Sequence, residues 1–260
     1  MSEEKPRYNL MELMVCVAAR QLEDGKTAVI GTGMPLAAAM LAQKTTAPNL
    51  IVMFEAGSIA PKLVKLPVSV ADSYTHTGAI MHSSMDEIME SCQRGLVDYT
   101  FLGGAQIDMY GNINTSMIGT DFQHPNVRLP GSGGANDLAS LCWKTLVITP
   151  HDKRRFVSKL DFLTTPGYLT GPGAREAAGL PAGGGPYKVI TTLALIGFHP
   201  QSRRMQVESL HPGVSRQDVV DNTDFEMLFA DPLPVTFEPT EQELRVLREE
   251  VDPQGFIIGK

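Results

Sequence analysis

Cysteine is scarce. The three residues present (Cys16, Cys92 and Cys142) are an odd number with no C-x-x-C spacing, which suggests neither a disulfide framework nor a zinc site. They read as reduced, packed thiols. No run approaches the roughly 18 apolar residues that a membrane helix needs, and the opening MSEEKPRYN is polar, without the apolar core of a secretion signal. The expectation is a cytoplasmic protein with no membrane partner. Basic charge is in deficit: 22 Lys and Arg against 29 Asp and Glu leave a net charge of −7, and a chain of that sign repels a phosphate backbone. Nucleic acid is therefore not an expected partner. Familiar catalytic signatures are missing too. Gly131-Ser132-Gly133 lacks the Gly-x-Ser-x-Gly spacing, no lysine follows a phosphate-binding loop, and the histidines (76, 82, 124, 151, 199, 211) stand singly with no His-x-x-x-His pair. No metal site is expected.

What the chain does have is an ordinary globular make-up, 43% hydrophobic and 20% charged, which excludes a disordered or fibrous class. The length fits one domain spanning 1–260. Glycine (24) and proline (18) are abundant, so loops, where function tends to sit, carry much of the structure.

Strand and helix signals alternate through the first 150 residues. Asn9 with Glu12 three residues on forms a capping signal for a helix with Leu10, Leu13, Met14 and Val17 on its apolar stripe, ended by Gly25. Ala28–Ile30 is a short strand, Gly31-Thr-Gly33 a glycine turn, and Pro35 opens a helix through Ala42. Leu50–Phe54 is a continuous apolar run of the buried parallel type, with Glu55 at its end. Ser84 caps a helix from Met85 to Arg94, stopped by Gly95; strands follow at Val97–Leu102 and Ile113–Ile118, a helix at Leu138–Trp143 and a strand at Leu146–Ile148. This alternation predicts an α/β fold, a mainly parallel open sheet with flanking helices. From Pro166 to Tyr187 half the residues are Gly or Pro, which reads as a functional loop or an interface arm. Strands resume at Lys188–Leu195 and Met205–Leu210, then a helix at Ser215–Val220 and a capping box, Thr240 to Glu243, before Leu244, Leu247 and Val251.

Glu55 stands out by position, because open parallel sheets bind ligands beyond the carboxyl ends of their strands. As readily it is a solvated acid in a turn. Three glycine loops after strands (Gly31/Gly33, Gly103-Gly104-Ala105, and Gly131 to Ala135) offer backbone N–H groups without side-chain obstruction, suited to anions or oxyanions. A dinucleotide reading of Gly31-x-Gly33 fails at Leu36, where the third glycine would have to be. Lys153-Arg154-Arg155 and Arg203-Arg204 are short basic clusters, read first as solvated surface.

Phe101-Leu-Gly-Gly-Ala-Gln-Ile-Asp108, Tyr110-Gly-Asn-Ile-Asn114 and Gly131-Ser-Gly-Gly-Ala-Asn136, together with Lys153-Arg-Arg-Phe156, Thr165-Pro-Gly167, Gly171-Pro-Gly173 and Arg248-Glu-Glu-Val-Asp-Pro253, resemble the β subunits of glutaconate-type CoA-transferases, in the class I CoA-transferase family. The likeness runs over almost the whole chain, from the Gly31-Thr-Gly-Met-Pro35 turn onward. It implies a catalytic Glu followed after one residue by Gly, here Glu55-Ala56-Gly57, although many such enzymes read Ser-Glu-Asn-Gly where this chain has Phe54-Glu-Ala-Gly57. His211-Pro-Gly-Val214 resembles instead a ring-opening branch of the same fold.

The resemblance implies a hetero-oligomer with an α subunit, α4β4 in the family pattern, and coenzyme A as a substrate with no tightly bound cofactor. It implies movement of CoA between an acyl-CoA of the glutaconyl, dicarboxylic kind and a carboxylic acid through a glutamyl-CoA thioester. The backbone of Gly103, Gly104, Ala105, Gly131, Gly133, Gly134 and Ala135 would then stabilise oxyanions, and Gly31, Gly33 and Gly57 would shape turns near the site. The alternatives on the same fold are an acyl-CoA hydrolase or decarboxylase, and a non-catalytic CoA- or nucleotide-binding subunit.

Overall fold

Ten residues from Leu10 to Ala19 form the first helix, α1, because Asn9 and Glu12 cap each other: the Glu12 N–H donates to Asn9 Oδ1 (2.9 Å) and the Asn9 N–H to Glu12 Oε2 (2.8 Å). The computed structural model describes residues 7–70 and 72–259, so the start of the polar N-terminal stretch, residues 1–6, lies outside the described residues. The helix stops before Gly25. Its last turn tightens through Gln21 and Leu22, and the Arg20 side chain swings out to Glu243 (2.6 Å) and to the carbonyls of Phe237 and Glu238.

In chain order the next elements are β1 (Thr27–Val29), α2 (Met34–Lys44), β2 (Ile51–Met53), β3 (Ser58–Ile59), β4 (Met81–His82), α3 (Met85–Gln93) and β5 (Tyr99–Leu102). Two small ribbons follow, β6 (Gln106–Ile107) with β7 (Ile113–Asn114) and β8 (Met117–Ile118) with β9 (Val127–Arg128). Then come α4 (Ala135–Leu141), β10 (Lys144–Thr149), α5 (Ala174–Ala177), β11 (Gly185–Thr191), β12 (Ala194–Phe198), β13 (Met205–Leu210), α6 (Arg216–Asp221), β14 (Leu228–Phe229) and α7 (Glu241–Val246).

Ten strands make one sheet in the order β14-β13-β12-β11-β10-β5-β1-β2-β3-β4. Its centre, β11 through β2, is parallel, with antiparallel pairs added on either side, so the architecture is the mostly parallel α/β sheet with flanking helices that the alternation predicts. Successive residues of β1 and β2 point to opposite faces. Ala28, Ile30, Val52 and Phe54 enter one core with α1 and α2, while Val29 and Met53 enter another with Ile88, Cys92, Leu138 and Cys142. All three cysteines are free and buried. No described helix is long and apolar enough to cross a membrane.

Two expected strands are each divided by a polar side chain. Asn114 breaks the run 113–118 by donating to Gln106 Oε1 and the Met117 carbonyl (2.7 Å each), while its Oδ1 accepts from Ser116 N–H. Thr191 Oγ1 accepts the N–H groups of Leu193 (3.1 Å) and Ala194 (3.0 Å), turning the run 188–195 into the β11–β12 hairpin. The helix expected at 138–143 begins three residues earlier, with Leu138 N–H bonded to the Gly134 carbonyl.

The Gly/Pro-rich stretch 166–187 is strapped onto its own chain. Arg175, 1% exposed, donates to the carbonyls of Gly167 (3.1 Å), Ala139 (2.7 Å) and Ser140 (2.9 Å), and Gly167 N–H donates to Asn112 Oδ1 (2.7 Å).

Candidate active site

Parallel registry puts the carboxyl ends of β1, β2, β5 and β10 along one edge of the sheet. Gly31 and Gly33 therefore follow β1, Glu55 follows β2, and Gly103 and Gly104 follow β5 on that same edge, where such sheets bind ligands. Phe54 is fully buried, and Glu55 is the first side chain out of the core. The chain then reverses at once. Phe54 N–H donates to the Ser58 carbonyl and Gly57 N–H to the Phe54 carbonyl (2.9 Å each), so Glu55 sits in a tight hairpin turn. Gly57 has φ +111°, and a Cβ there would stand 2.0 Å from the Ser83 carbonyl oxygen. Only glycine fits. Ser83 N–H in turn donates to the Gly57 carbonyl (2.8 Å), tying the turn to the start of α3.

The Glu55 carboxylate is half-buried, and among the described residues it has no hydrogen-bond or ion-pair partner. Instead it meets Gly134: a Cβ added there would lie 2.7 Å from Glu55 Oε1 and 2.8 Å from the Met89 methyl. Two residues 79 positions apart in sequence are thus brought together where α4 packs beside α3.

The loop glycines differ in what their N–H groups can do. Those of Ala105, Gly131 and Ala135 are committed, donating to the carbonyls of Asn114 (2.9 Å), Thr115 (2.8 Å) and Ser132 (3.0 Å). Those three amides already have backbone acceptors in this conformation. The N–H groups of Gly133 and Gly134 have no acceptor among the described residues. Gly103, Gly104 and Ala105 line, with Thr115, Pro130 and Gly131, a pocket of about 300 Å³. Through Ala105 it adjoins a second, of about 640 Å³, walled by Gln106, Arg154 and Arg155. Arg155 is held by Asp152 Oδ2 (3.1 Å) and the Gly104 carbonyl (3.2 Å), whereas the Arg154 side chain is 95% exposed. Gly33 caps α2 with φ +83°, and a Cβ on Gly31 would meet nothing within 4 Å.

Several motif residues prove to be scaffold. Asp108 Oδ1 accepts from the N–H groups of Tyr110 and Asn112, and Asn112 Oδ1 binds Gly167 and Leu169; burial pushes the Asp108 carboxyl up despite these bonds. His211 is buried between Thr236 Oγ1 (3.0 Å) and the Thr191 carbonyl (2.9 Å). Burial alone would raise the Glu12 carboxyl, but Arg248 and the Asn9 N–H hold it below the usual range. Met89 has no signal in the sequence, because one methionine on an amphipathic helix reads as core. No group of three or more His, Cys, Asp or Glu among the described residues could hold a metal.

The sequence model of the family described as coenzyme A transferase matches residues 12–222. The chain is 40% identical to the B-type subunit of 3-oxoadipate CoA-transferase from Pseudomonas knackmussii, over 93% of this chain and 92% of that one. It is 36% identical to the B-type subunit of glutaconate CoA-transferase from Acidaminococcus fermentans, over 96% and 95%. The crystal structure of glutaconate coenzyme A-transferase from Acidaminococcus fermentans superposes with a TM-score of 0.91 at 34% identity, covering 99% of this chain and 100% of that one.

Proposed function

The chain belongs to the coenzyme A transferase family, and from that premise we propose that it is the B-type subunit of a two-subunit enzyme whose nucleophile is Glu55. The observation that carries this reading is the half-buried Glu55 carboxylate, unpaired among the described residues, on the strand-end edge of the sheet and against Gly134. Water blunts a carboxylate nucleophile; a closed, partly apolar site restores its reactivity. Glu55 attacks the thioester carbonyl of an acyl-CoA, and the tetrahedral intermediate expels CoA thiolate to leave a mixed anhydride. The thiolate then attacks the glutamyl carbonyl of that anhydride, releasing the donor acid and leaving CoA as a thioester on Glu55. An incoming carboxylate runs both steps in reverse.

The developing oxyanion is held by the unpaired N–H group of Gly134, beside Glu55, with that of Gly133 preceding it in the loop. The pocket between Gly103-Gly104-Ala105 and Gly131 accommodates the thioester end of CoA. The acyl group is a dicarboxylic one, by analogy with the 3-oxoadipate and glutaconate enzymes, and the assembly pairs this chain with an A-type subunit in an α4β4 arrangement. Residues 1–260 act as one domain, and the free, buried thiols suit the cytoplasm.

The test is chemical. Incubating the two-subunit enzyme with acyl-CoA and trapping with borohydride reduces a single side chain, Glu55, and Glu55→Gln abolishes both labelling and transfer. A label on another residue, or near-normal transfer by Glu55→Gln, removes this mechanism. Release of CoA at the same rate with and without acceptor acid would indicate a hydrolase instead.

A further inference from the structure

One neighbour of Glu55 has no part in the transfer steps. Met89, on the second turn of α3, packs half-buried against the cluster of Met53, Ile88, Cys92 and Leu138. Its methyl and the Glu55 carboxylate converge on one point, the place a Cβ on Gly134 would take, 2.8 Å from the methyl and 2.7 Å from Oε1. The spacing between them is held from two sides. The Glu87 carboxylate accepts from Ser84 N–H (3.0 Å) and from Ser83 Oγ (2.5 Å), and Ser83 N–H is bonded to Gly57 in the Glu55 turn. The first turn of α3 and the Glu55 hairpin are thus joined at their junction.

Attack requires the acyl carbonyl carbon to come within about 3–3.5 Å of a Glu55 oxygen. Gly134 closes one side of that approach with no side chain, and Met89 closes the adjoining side with a methyl. Resting on the reading of Glu55 as nucleophile, we infer that Met89 is a specificity-determining residue. Its methyl is the apolar wall that the acyl carbon next to the thioester carbonyl must pass, so it selects an unbranched C2. A methionine suits the place, since its unbranched thioether fills an irregular gap and its end can be withdrawn by substitution without rebuilding the helix.

The experiment uses the assembled two-subunit enzyme with glutaryl-CoA and 2-methylglutaryl-CoA as donors and acetate as acceptor. Met89→Ala is expected to raise the ratio of kcat/KM for the branched over the straight donor by about 10-fold or more, the discrimination a wall of one methyl can supply. Met89→Leu, which withdraws only the end of the chain and keeps the helix packed, should shift the ratio in the same direction by about 3-fold. A residue with a purely structural role would change both donors alike. An unmoved ratio in both variants, with borohydride still labelling Glu55, overturns the inference alone. A label that misses Glu55 in the unsubstituted enzyme removes the nucleophile assignment, and this inference with it.

Discussion

Gly134 is set by what it touches rather than by its own backbone. Its φ of −78° is open to any residue, so Gly134→Ala carries no backbone strain. The added Cβ would nevertheless collide with the ends of two flexible side chains, Glu55 and Met89. Those can swing aside, and thermal stability should hold within a few degrees. The carboxylate, however, is displaced, and a misplacement of about 1 Å at a reacting group costs on the order of 100-fold in rate. Steady-state kinetics and a melting curve on the same preparation check this: kcat down about 100-fold with Tm nearly unchanged is expected, and parallel loss of both would mean the glycine merely shapes the loop. Gly57→Ala should behave differently. There the Cβ meets a backbone carbonyl at 2.0 Å with φ at +111°, so the turn itself must open and Tm falls with activity.

At the scale of elements, the strap 166–187 and α4 form one unit through Arg175. Among the described residues its buried guanidinium has no acidic partner; the two terminal nitrogens donate to carbonyls of Gly167, Ala139 and Ser140, while Nε is left without an acceptor; desolvation accordingly lowers its pKa, with Tyr168 and Glu176 opposing. Arg175→Ala leaves those carbonyls without donors and opens a cavity, a loss on the order of 3 kcal/mol or more. Urea unfolding should show a lower midpoint. Arg175→Lys should recover only part of it, since one ammonium cannot reach carbonyls on both elements. Because Ala139 and Ser140 belong to the helix at whose N-terminus Gly134 stands as the cap, the same variants should also lower kcat. Helix capping shows the opposite economy. The boxes at Asn9, Ser84, Ser215 and Thr240 are all formed, each legible in sequence because donor and acceptor lie three residues apart.

On the scale of the whole molecule, a buried imidazole joins β10, β11 and α6. His151, 5% exposed, lies between Thr191 Oγ1 (3.1 Å) and Thr223 Oγ1 (3.0 Å) and stacks on Phe156. Burial pushes its pKa down to about 4. Between about pH 6.5 and 4 the unfolded chain takes up a proton that the folded chain refuses. The stability this group contributes is therefore intact above pH 6.5, falls across that window, and levels off below it. His151→Gln, which can still bond both hydroxyls, should remove on the order of 3 kcal/mol of the acid-induced loss, read from urea unfolding at pH 7 and pH 4.5. Equal loss in both proteins would assign the acid sensitivity to carboxylates such as Glu12. The same scale sets the partner requirement. The chain by itself should give no transfer and should gain it on titration with an A-type subunit, followed by activity and by mass in solution; full activity from the isolated chain would refute it.

The sequence by itself determined the local features. Capping boxes, strand-end acids, glycine turns and the α/β alternation rest on residues within a few positions of one another, and Glu55 is legible because an apolar run, an acid and a glycine are adjacent. The tertiary structure decided whatever depends on distant contact. It brought Gly134 onto Glu55, committed the Ala105, Gly131 and Ala135 amides to carbonyls elsewhere, divided two apolar runs through Asn114 and Thr191, and turned a glycine-rich stretch into a strap closed by one buried arginine. The physical reason is the range of the interactions: periodicity and caps act along the chain, whereas whether an amide is free, a carboxylate unpaired or a glycine obligatory depends on atoms that folding brings from far away.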